Sequence, residues 1–401
     1  MSINKSVDFS LVNIGLLVTN DAELGEGPLG LIENAALSVV NGKIAWVGNS
    51  SSVDKSLPTV EAYGKCVIPG FVDSHSHLIF AGDRSTEFAA RMAGVPYSAG
   101  GIKVTTAATR SATADQLKDN AVRLISEMQE SGTTTIEIKS GYGLDVATEE
   151  RSVKVAAELT SEVTYLGAHV IAPEYSSEPD TYVDLVCGEM LQACLPHSKW
   201  IDVFCDRGAF TVEQTRKILK AGISAGLKPR VHLNQLEQGE GIQMAVELDC
   251  ASADHLTFLT DEDIALLANS QTVAGLVPAC DFSTRSAQYP RARDLLDAGA
   301  AVALSPDCNP GSSYTTNMPF SIALAVREMH MTVDEALYAA TKGGAKALRR
   351  SDVGQLSVGS NADFVLLNAP TYVHFAYRPG VPLISKTWKD GNVVFTKGAS
   401  S

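Results

Sequence analysis

His75 and His77 stand one residue apart in PGFVDSHSH, behind an apolar run. Strand side chains alternate, so Asp73, His75 and His77 at i, i+2 and i+4 would share one face, and two imidazoles on one face can grip one ion together. An isolated pair of this kind is as readily two hydrogen-bonded core histidines. The rest of the chain shifts that balance. Five of the eight histidines fall at the ends of predicted strands: His75 and His77 on the first, His169 on the third, His232 on the fifth and His255 on the sixth. Asp307, in LSPDCNPGS after the eighth, adds a carboxylate. His197, His330 and His374 fall in helical or peripheral segments and read as structural.

Neutral imidazoles with one carboxylate suit Zn(II), or a related ion such as Fe(II), with positions left open for water. No lysine ends the predicted fourth strand, WIDVFCDRG, where a carbamate bridging two metals would stand; Lys139 is on the second strand and Lys199 precedes the fourth. The expectation is one divalent metal per chain, Zn(II) or Fe.

Positioning these residues takes a particular architecture. Eight short β-branched runs, from CVIPGFVDSHSH to AAVALSPDCN, alternate with helical patterns such as ADQLKDNAVRLISEMQESG, in which Leu117, Leu124, Ile125 and Met128 keep a period near 3.6. Eight βα units predict an α/β fold, a (β/α)8 TIM-like barrel whose strand ends converge on one catalytic mouth. A doubly wound sheet would use the same units, but no GxGxxG fingerprint follows the first strand. Both chain ends read differently. AALSVVNGKIAWVGNS and KTWKDGNVVFTKG are hairpins with NG and DG turns. The expected organisation is a small β-sandwich domain built from both termini, residues 1–67 and 350–401, around a metal-dependent barrel over 68–349.

Composition narrows the function. With 401 residues, 45% hydrophobic and 19% charged, the chain has the profile of an ordinary globular protein. A net charge of −14 without a basic cluster argues against nucleic acid. No apolar run reaches the roughly 18 to 20 residues of a membrane span, and the polar start MSINKSVDFS has no leader pattern, so a cytoplasmic location is expected. Seven cysteines without a CxxC pair read as reduced thiols.

PGFVDSHSH, the β-rich termini, the strand-end histidines and the late SPD resemble the amidohydrolase superfamily over essentially the whole chain. IEIKSGYGLD, YLGAHVIAPEY, DVFCDRGAF, SADHL and PDCNPGSSYTTNMPF are similar, more specifically, to the imidazolonepropionase family of histidine degradation. The resemblance implies metal ligation by His75, His77, His232 and Asp307, capture of a substrate propionate by Arg84, and a pocket lined by Tyr97, Tyr142 and His169. Asn309, Gly311 and Ser312 resemble the family's contacts to the amino-acid portion of the ligand. A homodimer is expected on the same ground.

Many deaminases of the superfamily carry HxxE after the fifth strand, where this chain has His232-Leu-Asn-Gln235. A glutamine cannot transfer a proton but can hydrogen-bond a ring nitrogen or carbonyl, so Gln235 joins Asp307 and His255 among the catalytic candidates and also the substrate-binding ones. Glu237 lies at an offset that suits the wrong face. The implied reaction is hydrolysis of the cyclic amide of 4-imidazolone-5-propanoate to N-formimidoyl-L-glutamate, with Asp307 or His255 as base. The alternatives are a mononuclear nucleobase deaminase and a barrel that has lost catalysis and serves in binding. Residues 80–112 form a candidate flap.

Overall fold

The computed structural model of the chain describes residues 7–94 and 101–399. The expected pocket residue Tyr97 lies outside the described residues. The first strands are β1 (Phe9–Val18), β2 (Leu31–Val40), β3 (Lys43–Asn49), β4 (Thr59–Glu61) and β5 (Cys66–Pro69). Then follow β6 (Phe71–Asp73), β7 (Thr133–Lys139), β8 (Glu162–Ala168) and β9 (Trp200–Cys205). The fifth barrel position is shared by β10 (Lys228–Pro229) and β11 (Val231–Leu233), and β12 (Ser252–His255), β13 (Val273–Leu276) and β14 (Val302–Leu304) come next. The last strands are β15 (Phe364–Leu367), β16 (Ile384–Lys389) and β17 (Asn392–Thr396). Contacts group the chain into two compact units, one of residues 1–73, 126–135 and 317–401, the other of 74–125 and 136–316.

In the first unit the two chain ends meet in one sheet, ordered β17-β16-β15-β5-β1-β2-β3, with β4 beside β1. Its hairpins turn where the sequence places Asn-Gly and Asp-Gly. Asn41 and Gly42 have φ of 51° and 74°, and Asp390 and Gly391 48° and 72°, the left-handed pair that a two-residue hairpin needs. Alternate residues from both ends bury one core. Phe364 stacks on Trp388 with centroids 4.6 Å apart, and Leu11, Ile14, Leu17, Leu37 and Leu366 pack in the same cluster.

The other sheet runs β14-β13-β12-β11-β9-β8-β7-β6, a near-closed barrel of eight parallel strands, with β10 beside β9. Every residue of β7, β8 and β9 is buried, as expected for parallel strands covered on both faces. At the mouth the ring is drawn together by His77 N–H donating to the Cys308 carbonyl at 2.9 Å.

Two expectations need correction. The run CVIPGFVD is not one strand. Cys66–Pro69 joins the terminal sheet through β1 and β15, and Gly70 follows it at a place where a Cβ would overlap the Thr134 side chain. Strand β6 then ends at Asp73, so His75 and His77 lie beyond the ladder, and strand alternation is not what aims them. Their backbone is tied instead by the His77 bond to Cys308 and by Lys139 N–H donating to the Ser76 carbonyl at 2.9 Å.

Asp363, just before β15, is 2% exposed and accepts the Asp390 N–H at 2.7 Å. Burial pushes its carboxyl up to about 6, against the pull of that amide. Its folded pKa exceeds the unfolded 3.8, so its contribution to stability is full below that value and is lost as pH rises through about 6. Asp363→Asn keeps an acceptor and cannot ionise. Between pH 4 and 7 it should gain on the wild type by up to about 3 kcal/mol in urea unfolding, and a pH-independent difference would contradict this.

Candidate metal centre

Three imidazoles and a carboxylate converge inside the barrel mouth. His77 Nε2 lies 3.3 Å from both His75 Nε2 and His232 Nε2. Asp307 Oδ1 is 3.5 Å from His75 Nε2 and 3.6 Å from His77 Nε2. Ligands held at roughly 2.0–2.1 Å on a tetrahedral ion sit about 3.3 Å apart, so the donors have the spacing of a divalent-metal site. His255, His75 and Asp307 form a second, overlapping group.

The atoms behind the rings decide which nitrogen each offers. His232 Nδ1 donates to Asp202 Oδ1 at 3.1 Å, and His75 Nδ1 lies 3.0 Å from Asp254 Oδ2. An Nδ1–H engaged in this way leaves Nε2 as the lone-pair donor. Burial above all, helped by Lys139 for His75 and by His169 for His77, holds both imidazoles well below their ordinary range. Burial would raise Asp202, but His232 and Lys139 outweigh it and hold that carboxyl well below the usual range.

The carboxylates are balanced in turn. Lys139 Nζ bonds Asp202 at 2.8 Å and Glu137 at 3.0 Å, and Arg230 reaches Asp254 at 3.4 Å and the Ser74 carbonyl at 2.6 Å. All five of these charged side chains are fully buried. With Asp307, the linked set holds four carboxylates against two cations, a deficit of two charges that a divalent ion would cancel. Donor spacing and charge therefore both fit such an ion.

Around the donors lies a cleft lined also by Arg84, Tyr142, His169, Gln235, Asn309 and Ser312. The structure thus gathers the expected site residues, Tyr97 aside, into one place, with Gly311 at the rim against Arg84, where a Cβ would overlap Nη1. Asp307 has φ of 56° and His255 of 79°, left-handed backbone that side-chain period cannot anticipate. Asn309 Oδ1 accepts the N–H of Gly311 at 2.8 Å and of Ser312 at 2.7 Å, fixing the loop after β14. Gln235 is held by its own N–H to Asp206 at 2.7 Å, and its Nε2 donates to Cys280 Sγ at 3.3 Å. Glu237 points away into an ion pair with Arg207 at 3.0 Å.

Asp254 serves His75, Arg230 and Ser252. One expected site residue is differently engaged. Arg84 already holds a carboxylate, for its Nε and Nη2 donate to Glu87 at 2.8 and 2.7 Å, and Arg91 shares Glu87 at 3.2 Å. Sequence reasoning also missed Asp202, Lys139, Arg230 and Glu87 as parts of the site. Asp202 could have been found, since charged residues in otherwise apolar barrel strands need a partner.

Residues 66–396 match the amidohydrolase family. The imidazolonepropionase of Mycolicibacterium smegmatis is 61% identical over 390 residues, covering 97% of this chain and 98% of that protein. The chain belongs to the imidazolonepropionase family. A second family member, from Streptomyces coelicolor, is 59% identical over 382 residues, 95% of this chain and 97% of that one. Solved structures outside the imidazolonepropionase family share the fold. An atrazine chlorohydrolase from Arthrobacter aurescens complexed with zinc has a TM-score of 0.72 at 17% identity, covering 97% of this chain and 95% of that one. A guanine deaminase from C. acetobutylicum with bound guanine also has 0.72, at 18%, covering 97% and 100%. No helix among the described residues is long and apolar enough to cross a membrane.

Asp202→Asn should weaken divalent-metal binding by about 10- to 100-fold while the protein stays folded, because a neutral amide oxygen is a weaker acceptor for the His232 Nδ1–H than the carboxylate. Competition against a chelator measures this; unchanged affinity would mean that Asp202 does not orient the ligand.

Proposed function

We propose that the protein hydrolyses the cyclic amide of 4-imidazolone-5-propanoate to N-formimidoyl-L-glutamate, using one Zn(II) or Fe(II) per chain held by His75, His77, His232 and Asp307. Convergence of those four donors in a cleft that also holds Arg84 is the observation that carries this reading, together with the family to which the chain belongs. The ion, when bound, would act as a Lewis acid and lower the pKa of water from 15.7 toward about 7.

The chain's own groups supply the rest. Asp307 accepts a proton as water adds to the ring carbonyl carbon, and returns one to the ring nitrogen as the C–N bond breaks. His255, kept neutral by burial first and His232 second, hydrogen-bonds the water or the developing oxyanion. Tyr142, His169 and Gln235 contact the ring, while Asn309, Gly311 and Ser312 hold the portion that becomes the amino acid. Arg84 takes the propionate while keeping Glu87, so the substrate shares this guanidinium with a resident carboxylate. The pair sets the register that brings the carbonyl to the reacting centre.

The decay of 4-imidazolone-5-propanoate absorbance, corrected for spontaneous breakdown, tests the reaction in metal-replete protein. Asp307→Asn should lower kcat by more than about 10²-fold. Ammonia release from nucleobases without decay of the imidazolone would favour a deaminase instead. Arg84→Met should lower kcat/KM by roughly 10- to 100-fold, chiefly through KM. An unchanged KM would remove Arg84 from substrate binding.

A further inference from the structure

Glu149 lies outside the cleft, in the helix Val146–Ala157, and is fully buried. Its carboxylate gathers the backbone of the loop after β7. Oε2 accepts the Gly141 N–H at 2.9 Å, and Oε1 accepts the N–H groups of Gly143 at 2.7 Å and Leu144 at 2.8 Å. That loop needs holding, for Gly141 has φ of 111° and Leu144 of 56°.

Two groups of the cleft hang on this loop. Tyr142 stands between the two glycines whose amides Glu149 binds. The Gly141 carbonyl meets His169 Nδ1 at 3.0 Å. His169 in turn stacks on His77 with centroids 5.3 Å apart and 25° between planes, and Tyr142 lies 5.2 Å from His169. When one ring nitrogen of a histidine donates to a carbonyl, the other is left as acceptor, so the direction of the Gly141 peptide decides what His169 offers the cleft.

We infer that Glu149 is a positioning residue for the reaction: by binding three loop amides it aims the Gly141 carbonyl at His169, fixes that imidazole as the Nδ1–H tautomer, and so presents its Nε2 as an acceptor to the substrate. The chemistry of the carboxylate is needed, not its bulk. A glutamine whose oxygen kept Gly143 and Leu144 would set its amide NH₂ against the Gly141 N–H, two donors face to face; the Ser140–Gly141 peptide would have to turn, and with it the direction of the Gly141 carbonyl on the next peptide.

The substrate role of His169 rests on the proposed function, and the tautomer does not. Long-range ¹H–¹⁵N spectra of the metal-loaded enzyme, with His169 assigned by its loss in His169→Asn, read the tautomer directly. The wild type should show the Nδ1–H form, and a wild-type Nε2–H form would overturn the inference whatever the variants do. Glu149→Gln should shift His169 toward a mixture and lower kcat/KM on 4-imidazolone-5-propanoate by about tenfold. In the His169→Asn background the same change should cost less than about twofold. An unchanged His169 signal in a folded Glu149→Gln protein, or effects that multiply independently, would reduce Glu149 to a loop anchor. Failure of the imidazolone assay in the wild type, with the tautomer as expected, would count against the proposed reaction alone.

Discussion

The structure turns on one requirement: three imidazoles must aim unprotonated Nε2 atoms at one point deep in the barrel mouth. Burial pushes His75 and His77 to the neutral form, which serves ligation, yet neutrality alone does not choose the nitrogen. Asp202 makes that choice for His232 by accepting its Nδ1–H, and Asp254 stands 3.0 Å from the His75 Nδ1. Buried carboxylates then need cations, which Lys139 at the end of β7 and Arg230 just before β11 supply. Each shell exists because the one inside it would otherwise be unsatisfied. The outermost members are fully buried charges in strands that propensity would fill with valine.

The same economy governs the loops. Asn309 bends its own loop by accepting two of its amides, and Glu149 does so for the loop after β7 with three. In both cases a polar side chain replaces the ladder that ends at the barrel rim, allowing left-handed residues to stand close to reacting groups.

Much of this was legible in the sequence. Eight β-branched runs and the NG and DG turns specify the barrel and the terminal sheet, because period and turn chemistry are local properties. The donors were legible because His75, His77, His232 and Asp307 are few, polar and placed at strand ends. The routes by which the chain aims them were not. His75 and His77 leave the strand after Asp73 and are tied through Cys308 and Lys139, both far away in sequence, and Asp307 adopts a left-handed backbone. The contact of Asp254 with His75 spans 179 residues of chain. Glu87 was hidden by an opposite error, since an acid three residues from an arginine reads as an ordinary helix-surface pair.

The terminal sheet carries a consequence for how the molecule is made. Strand β5 lies between β1, made of residues 9–18, and β15, made of residues 364–367. During synthesis β5 can pair with β1 at once, but its other edge must wait for nearly three hundred further residues to leave the ribosome. At about 5 to 20 residues per second that wait lasts roughly 15 to 60 seconds. Through that interval Val67 and Ile68 border an open edge, a template for wrong pairing that closes only when the chain is almost finished. Late truncations would therefore be exposed at this edge and prone to aggregate, although His75, His77, His232 and Asp307 are already present.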